Sequence, residues 1–148
     1  MLFIGSDHAG FELKAQVLGA LRLQNIEVED CGTDSSQSCD YPLIADAVAQ
    51  KVLASKDALG ILICGSGIGM SIAANKVRGI RAACVSEVQS AELCRQHNNA
   101  QILCIGARIV SFETAMKCVN AFLSASFDVS HPRHQRRINQ ISDMEGKL

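Results

Sequence analysis

Cys64 opens the one stretch of this chain where a reactive side chain and a specialised backbone coincide. Residues 60 to 76 read Gly-Ile-Leu-Ile-Cys-Gly-Ser-Gly-Ile-Gly-Met-Ser-Ile-Ala-Ala-Asn-Lys. Ile61 to Ile63 is a short aliphatic run of the kind that forms a buried strand. Gly65, Gly67 and Gly69 follow at alternate positions, where the chain can turn tightly and bring backbone N–H groups against a ligand. Ser71 to Lys76 reads as the start of a helix. Strand, glycine turn and helix together aim N–H groups and a positive dipole end at one point, which suits an anion. Such a helix end also favours negative charge on a nearby sulfur. Cys64 is therefore a candidate nucleophile or base beside an anion site.

Three familiar glycine or cysteine loops do not fit. A dinucleotide fingerprint needs a third glycine where Met70 stands. A Walker loop needs Gly-Lys-Ser/Thr, a triplet the chain lacks. The C-x5-R pattern of cysteine phosphatases would need arginine at position 70. The plain alternative is a tight turn next to a structural cysteine, since free cysteine is often a core residue.

The elements that must position this stretch follow from its surroundings. With 148 residues, 48% hydrophobic and 20% charged, the chain reads as a single globular domain over 1–148. A net charge of −1 offers no electrostatic case for nucleic acid or membrane, and no apolar run approaches a membrane span. The start, Met-Leu-Phe-Ile-Gly-Ser-Asp, has no basic region of a signal peptide. Seven cysteines, an odd number without C-x-x-C, fit reduced thiols and a cytoplasmic location.

Leu2 to Ile4 is a first strand, ending in Gly5-Ser-Asp-His-Ala-Gly10. Phe11 to Gln24 reads as a helix with Val17, Leu18 and Leu21 on one face. Ile26 to Glu29 is a second strand, and a polar loop of about a dozen residues, Cys31 to Pro42, leads to a helix with Ala45, Val48 and Val52 inward. After the glycine turn come a strand over Ile80 to Val85, a helix capped by Ser86 and ending near Gln96-His-Asn-Asn99, and a fifth strand over Ile102 to Gly106. A helix starts at Ser111 with Ala115, Cys118, Val119 and Phe122 on one side. From Asp128 a polar tail carries Ile138, Ile141 and Met144 at the spacing of a last amphipathic helix.

Five strands alternating with helices predict a Rossmann-like three-layer α/β/α domain with a five-stranded parallel sheet and a C-terminal helical tail. Right-handed crossovers make the first and third strands neighbours flanking the switch point, where ligands bind beyond the strands' carboxyl ends. Asp7-His8 and Cys64 to Gly69 then share one crevice.

The ordered set Gly5-Ser-Asp-His-Ala-Gly10, Gly32-Thr-Asp-Ser35, Asp40-Tyr-Pro42, Ile63 to Lys76, Arg95-Gln-His-Asn98, Gly106-Ala-Arg-Ile-Val110 and Arg133-His-x-x-Arg137 resembles type B ribose-5-phosphate isomerases almost end to end. The wider group includes galactose-6-phosphate and allose-6-phosphate isomerases. The resemblance implies an aldose–ketose isomerase interconverting ribose 5-phosphate and ribulose 5-phosphate, in the pentose phosphate pathway, through an enediolate and without metal or cofactor. It implies Cys64 as the base, the backbone of Gly65, Ser66, Gly67, Ile68 and Gly69 as the enediolate's donors, and Ser66 as the hydroxyl between O1 and O2. Many members of the family have threonine at that position. It implies Asp7 and His97 as the ring-opening pair, His8, Arg133 and Arg137 with Arg108 as phosphate ligands, and Tyr41 and Asn98 as contacts to sugar hydroxyls.

Each side chain also has an ordinary reading. Asp7 could cap the first helix, His97 could sit exposed at a helix end, and Arg133, Arg136 and Arg137 could be a solvated cluster. His131 and His134, three apart, could ligate a metal, but no third ligand is evident and no metal site is expected. A non-catalytic, flavodoxin-like nucleotide-binding module would use the same glycine turn and would not require a thiol or His97. Polarity adds one more expectation. A helix from Ser86 to Arg95 that links two parallel strands runs antiparallel to them, so His97 falls at the edge of the sheet opposite Cys64. Beside Asp7, His97 must then come from a second chain. The expectation is a homodimer, or a dimer of dimers, with shared active sites.

Overall fold

The computed structural model describes residues 1–146. In chain order the elements are β1 (Leu2–Ser6), α1 (Phe11–Leu23), β2 (Val28–Asp30), α2 (Tyr41–Ala54), β3 (Leu59–Cys64), α3 (Ile68–Ala74), β4 (Ala82–Cys84), α4 (Val88–Asn98), β5 (Ile102–Gly106), α5 (Phe112–Ser124) and α6 (Pro132–Glu145). The five strands form one sheet in the order β2-β1-β3-β5-β4, and every pair is parallel. The three-layer expectation holds, with β1 and β3 adjacent. The order departs from the flavodoxin-like 2-1-3-4-5 because the chain skips a position after β3 and returns to fill it with β5.

Strands covered on both faces need unbroken apolar runs, and the central three have them. Ile61, Leu62, Ile63, Ile102, Leu103 and Ile105 are fully buried, each such side chain contributing roughly 1.5–3 kcal/mol. On one face they meet α1, α4 and α5 through Val17, Leu21, Ala91, Val119 and Phe122. On the other, α2 and α3 supply Val48, Ala49, Val52, Met70 and Ala74.

Several boundaries differ from the sequence expectation, each for a local reason. The second strand starts at Val28, because the Ile26 N–H still bonds Leu21 O and closes α1. The fourth narrows to Ala82–Cys84, since Ile80 belongs to a turn bonded to Val77 O. The third helix begins at Ile68 rather than Ser71, directly after Gly67 takes a left-handed conformation (φ 78°). Glu87, not Ser86, stands at the start of α4 and accepts the Ser90 hydroxyl at 2.5 Å. Pro42 and Ser111 behave as expected: the proline lies in the first turn of α2, and the Ser111 hydroxyl accepts the Thr114 N–H. The tail forms α6, but only Ile138 of its apolar trio is buried. Ile141 and Met144 stay 40% and 64% exposed.

The polar loop after β2 is held in place from below. Lys14 of α1 is buried, and its ammonium donates to Asp30 Oδ1 at 2.6 Å and to Thr33 O at 2.5 Å. The Thr33 and Cys31 N–H groups bond Ser6 O and Ile4 O, prolonging the β1–β2 pairing past the end of β2.

Gly67 and Gly19 give opposite expectations for the same substitution. A Cβ on Gly67 would lie 2.9 Å from the Ile105 carbonyl carbon at a positive φ, whereas one on Gly19, mid-helix in α1, meets nothing within 4 Å. Gly67→Ala should cost roughly 1–3 kcal/mol in urea unfolding, and Gly19→Ala should add about 0.5–1 kcal/mol.

Candidate active site

The register of the sheet puts the chemistry at one edge. Ser6 pairs with Ile63 and Cys64 with Gly106, so β1, β3 and β5 end side by side. The loops that leave them are tied to one another. The Asp7 N–H bonds Ile63 O at 3.1 Å, the Ala107 N–H bonds Cys64 O at 2.8 Å, and the Arg108 N–H bonds Gly65 O at 2.9 Å. Asp7, Cys64 and Arg108 are therefore placed by backbone, before any side-chain contact.

These loops enclose a crevice of about 640 Å³ lined by Asp7, His8, Tyr41, Cys64, Gly65, Ser66, Ile68, Gly69 and Arg108, with Ala9, Ile72 and Ile109 completing its wall. The three apolar residues escaped the sequence reading because nothing but position marks them. Cys64 is buried, and its sulfur accepts the Gly67 N–H at 3.1 Å. Gly67 therefore acts from beneath the crevice. The Ser66 hydroxyl oxygen accepts the Ile68 N–H at 3.3 Å, which leaves its hydrogen for another partner. Two glycines serve close approach: an added Cβ would fall 2.7 Å from the Tyr41 ring at Gly69, and 3.2 Å from Arg108 Nη1 at Gly65.

Asp7 serves the backbone as well as the crevice. Its Oδ1 accepts the Gly10 N–H at 3.0 Å and closes the turn ahead of α1, but Gly10 is the helix's N-cap and no side chain caps it, so Asp7 is not the cap, and it lines the cavity. His8 Nδ1 accepts the Cys39 N–H at 3.3 Å, which leaves Nε2 to carry the ring hydrogen. Burial pushes the Cys94 thiol up to about 11 and raises Cys84, Cys104 and Cys118 as well. At neutral pH these thiols stay protonated and behave as small apolar groups. All seven cysteines are free.

His97, Asn98, Arg133 and Arg137 are not in this crevice. The end of α4 is tied to the starts of β4 and β5: Arg81 donates to Asn98 O at 2.8 Å and to Asn99 O at 3.0 Å, and Arg95 to Ala100 O at 2.8 Å. The length of β5, roughly 15 Å at about 3.3 Å per residue, separates that edge from Cys64. Asn98 instead borders a second cavity of about 480 Å³ with Arg81, Ile141 and Met144. His97 stacks on His134 of α6, ring centroids 4.5 Å apart and planes at 12°. Arg133 and Arg137 are exposed on the same helix.

The pair His131 and His134 does have a third companion, contrary to the sequence reading. Asp128 Oδ2 lies 2.8 Å from His131 Nδ1, and one donor atom from each of Asp128, His131 and His134 falls within 4.8 Å of the others. Hydrogen bonds from Ser130 and His131 hold the Asp128 carboxyl well below the usual carboxylate range. Desolvation, then the neighbouring His97 and Arg133, pushes His134 down. The three-residue spacing of Asp128, His131 and His134 was the available signal, but only the fold of residues 125–131 turns it into proximity.

Comparison with known proteins places the fold in a family. The family model described as Ribose/Galactose Isomerase matches residues 2–141. Ribose-5-phosphate isomerase B of Escherichia coli is 46% identical over 141 residues, 95% of this chain and 93% of that protein. A ribose 5-phosphate isomerase from Thermotoga maritima superposes with a TM-score of 0.91 at 50% identity, covering 96% of this chain and 97% of that one. The Mycoplasma genitalium ribose-5-phosphate isomerase B, solved with bound ribulose-5-phosphate, gives 0.92 at 42% identity over 99% and 97%. By its motifs, its sheet order and these matches, the chain belongs to the ribose/galactose isomerase family.

Proposed function

We propose that this enzyme interconverts D-ribose 5-phosphate and D-ribulose 5-phosphate through an enediolate, with Cys64 as general base. It would do so as one domain spanning the chain, in the cytoplasm, within the pentose phosphate pathway. The observation that carries the reading is the Cys64 sulfur, a hydroxyl and a carboxylate meeting around one crevice of small-sugar size, on strand ends that are hydrogen-bonded together. The related protein holding ribulose-5-phosphate supports the substrate class.

The steps follow from the groups present. Cys64 Sγ takes the proton from C2 of the open-chain aldose, and the electron pair moves into an enediolate. The backbone N–H groups of Gly65, Ser66 and Gly69 hold the charge that develops on its oxygens, those of Gly67 and Ile68 being turned to Cys64 Sγ and the Ser66 hydroxyl oxygen; one donor of this kind is worth about 3–4 kcal/mol of transition-state stabilisation. The Ser66 hydroxyl passes a proton between O1 and O2. The thiol then returns its proton to C1, completing the ketose. His8 Nε2–H and Arg108 bind the phosphate from the same chain, through charge-assisted hydrogen bonds that suit its oxygens. Tyr41, which lines the crevice, contacts a sugar hydroxyl.

Ring opening comes first and needs Asp7 together with His97, which one chain holds apart. A second copy around a two-fold axis supplies His97, Asn98, Arg133 and Arg137 to the crevice and receives the same residues in return. The site is then complete only in a dimer, or in a dimer of dimers.

Purified protein given ribose 5-phosphate, ribulose 5-phosphate and hexose 6-phosphates should convert the pentose pair fastest. Turnover of a hexose 6-phosphate alone would move the substrate to six carbons, and turnover of none would remove the isomerase reading.

Sharing is tested by mixing two inactive chains. Cys64→Ala and His97→Ala homodimers should each be impaired, while their heterodimers hold one site with both native residues. Unfolding and refolding the two together should recover about a quarter of wild-type activity, from half heterodimers with one working site each. Folded heterodimers without recovery would place His97 outside the partner's site.

A further inference from the structure

Beside the isomerase crevice's complement of groups lies one cluster whose side chains touch no substrate on the proposed reading: Asp128, His131 and His134. We infer that these three side chains form a binding site for a divalent transition-metal ion of the zinc class, reached from solvent through His131.

Their geometry is that of a ligand set. The three donor atoms lie within 4.8 Å of one another, close enough for one ion to reach all three at bond lengths near 2 Å after small side-chain rotations. Two imidazole nitrogens and one carboxylate oxygen select zinc, copper or nickel over magnesium and calcium, which take oxygen donors. Three protein ligands leave a fourth position open to water.

The surroundings already orient each ligand. Asp128 presents Oδ2 to His131, while its Oδ1 accepts the Ser130 N–H at 2.9 Å and the Ser130 hydroxyl at 2.5 Å. Outer hydrogen bonds of this kind fix a ligating carboxylate. The Asp128 N–H bonds Gln96 O at 2.9 Å, anchoring the connection before α6 to the end of α4. His134 is buried and held by packing, stacked on His97 and edge-on to His131 at 5.7 Å. An ion would take the place of the hydrogen shared by His131 Nδ1 and Asp128 Oδ2.

The stack gives the site a consequence. His97 lies face to face with His134, so it stays outside an ion held in the plane of the His134 ring. It nevertheless rests on a ring the ion immobilises. Fixing the ring beneath His97 limits how far that imidazole can move toward the sugar, and should slow ring opening. This consequence rests on the reading of His97 as a ring-opening group; the site itself does not.

The test titrates the full-length protein with Zn²⁺ by calorimetry and with Co²⁺ by absorption, alongside His131→Ala and Asp128→Asn. The His131 side chain makes no capping hydrogen bond to α6, so alanine there leaves the helix start intact, and circular dichroism verifies the fold. The expected result is one ion per chain, visible cobalt bands without the near-ultraviolet absorption of cobalt–thiolate bonds, and affinity at least ten-fold weaker in each variant. Equal binding by the variants, a thiolate band, or no binding by wild type overturns the site. In the isomerase assay, Zn²⁺ should lower wild-type kcat and spare His131→Ala, whose zinc-free rate should equal wild type. Unchanged wild-type activity with the site filled overturns the coupling to His97. Binding is read without turnover, so an inactive protein that still binds the ion would sink the isomerase reading and leave this one standing.

Discussion

The alignment of three strand ends is the constraint on which the rest of this molecule depends. Parallel pairing sets Ser6 against Ile63 and Cys64 against Gly106, and the loops beyond them are locked by Asp7 to Ile63, Ala107 to Cys64 and Arg108 to Gly65 backbone bonds. The core beneath is packed on both faces, so the strand ends cannot shift separately. A flexible small sugar meets groups that are already arranged, which is where preorganised donors gain their catalytic value. Glycine is required where these loops press on each other. At Gly10 a Cβ would come within 2.5 Å of Ile63 O, and at Gly106 within 2.6 Å of Ser66 backbone atoms.

The same parallel topology divides the machinery. A helix that returns between parallel strands delivers its last turn to the amino-terminal edge of the sheet. Arg81 and Arg95 fasten that turn of α4 in place with four hydrogen bonds, to Asn98 O, Asn99 O and Oδ1, and Ala100 O. His97 is therefore held away from the Cys64 crevice of its own chain. On the proposed reading, the chemistry requires a second subunit, and α6 contributes to that arrangement in two ways. Its exposed face offers Arg133 and Arg137, while His134 supports His97.

Much of this was legible before the fold was known. Continuous aliphatic runs mark strands covered on both faces, and the alternate glycines after Ile63 mark the turn at Cys64. Strand alternation put Asp7 next to Cys64, and helix polarity moved His97 away. What escaped depends on contacts between distant residues. The start of α3 depends on the left-handed Gly67 rather than on helix propensity, and the shortened β4 on a turn around Val77. Ile141 and Met144 follow the helical spacing yet stay exposed, because periodicity identifies a face and not what covers it. Asp128 joined the two histidines only once its N–H was bonded to Gln96 O of α4. Ala9, Ile72 and Ile109 carried no chemical signal at all.

Cys64 as the group that moves the proton can be tested with ring opening kept out of the measurement. Ribulose 5-phosphate has no free C5 hydroxyl to close a five-membered ring on its carbonyl, so it reaches the proton-transfer step without His97. Following the loss of its C1 protons in deuterium oxide by magnetic resonance, to solvent or into the aldose, isolates that step. His97→Ala should stay within about ten-fold of wild type, while Cys64→Ala slows by roughly 100- to 10,000-fold, the range for a lost general base. A Cys64→Ala protein that consumes the C1 protons at the wild-type rate would contradict the account.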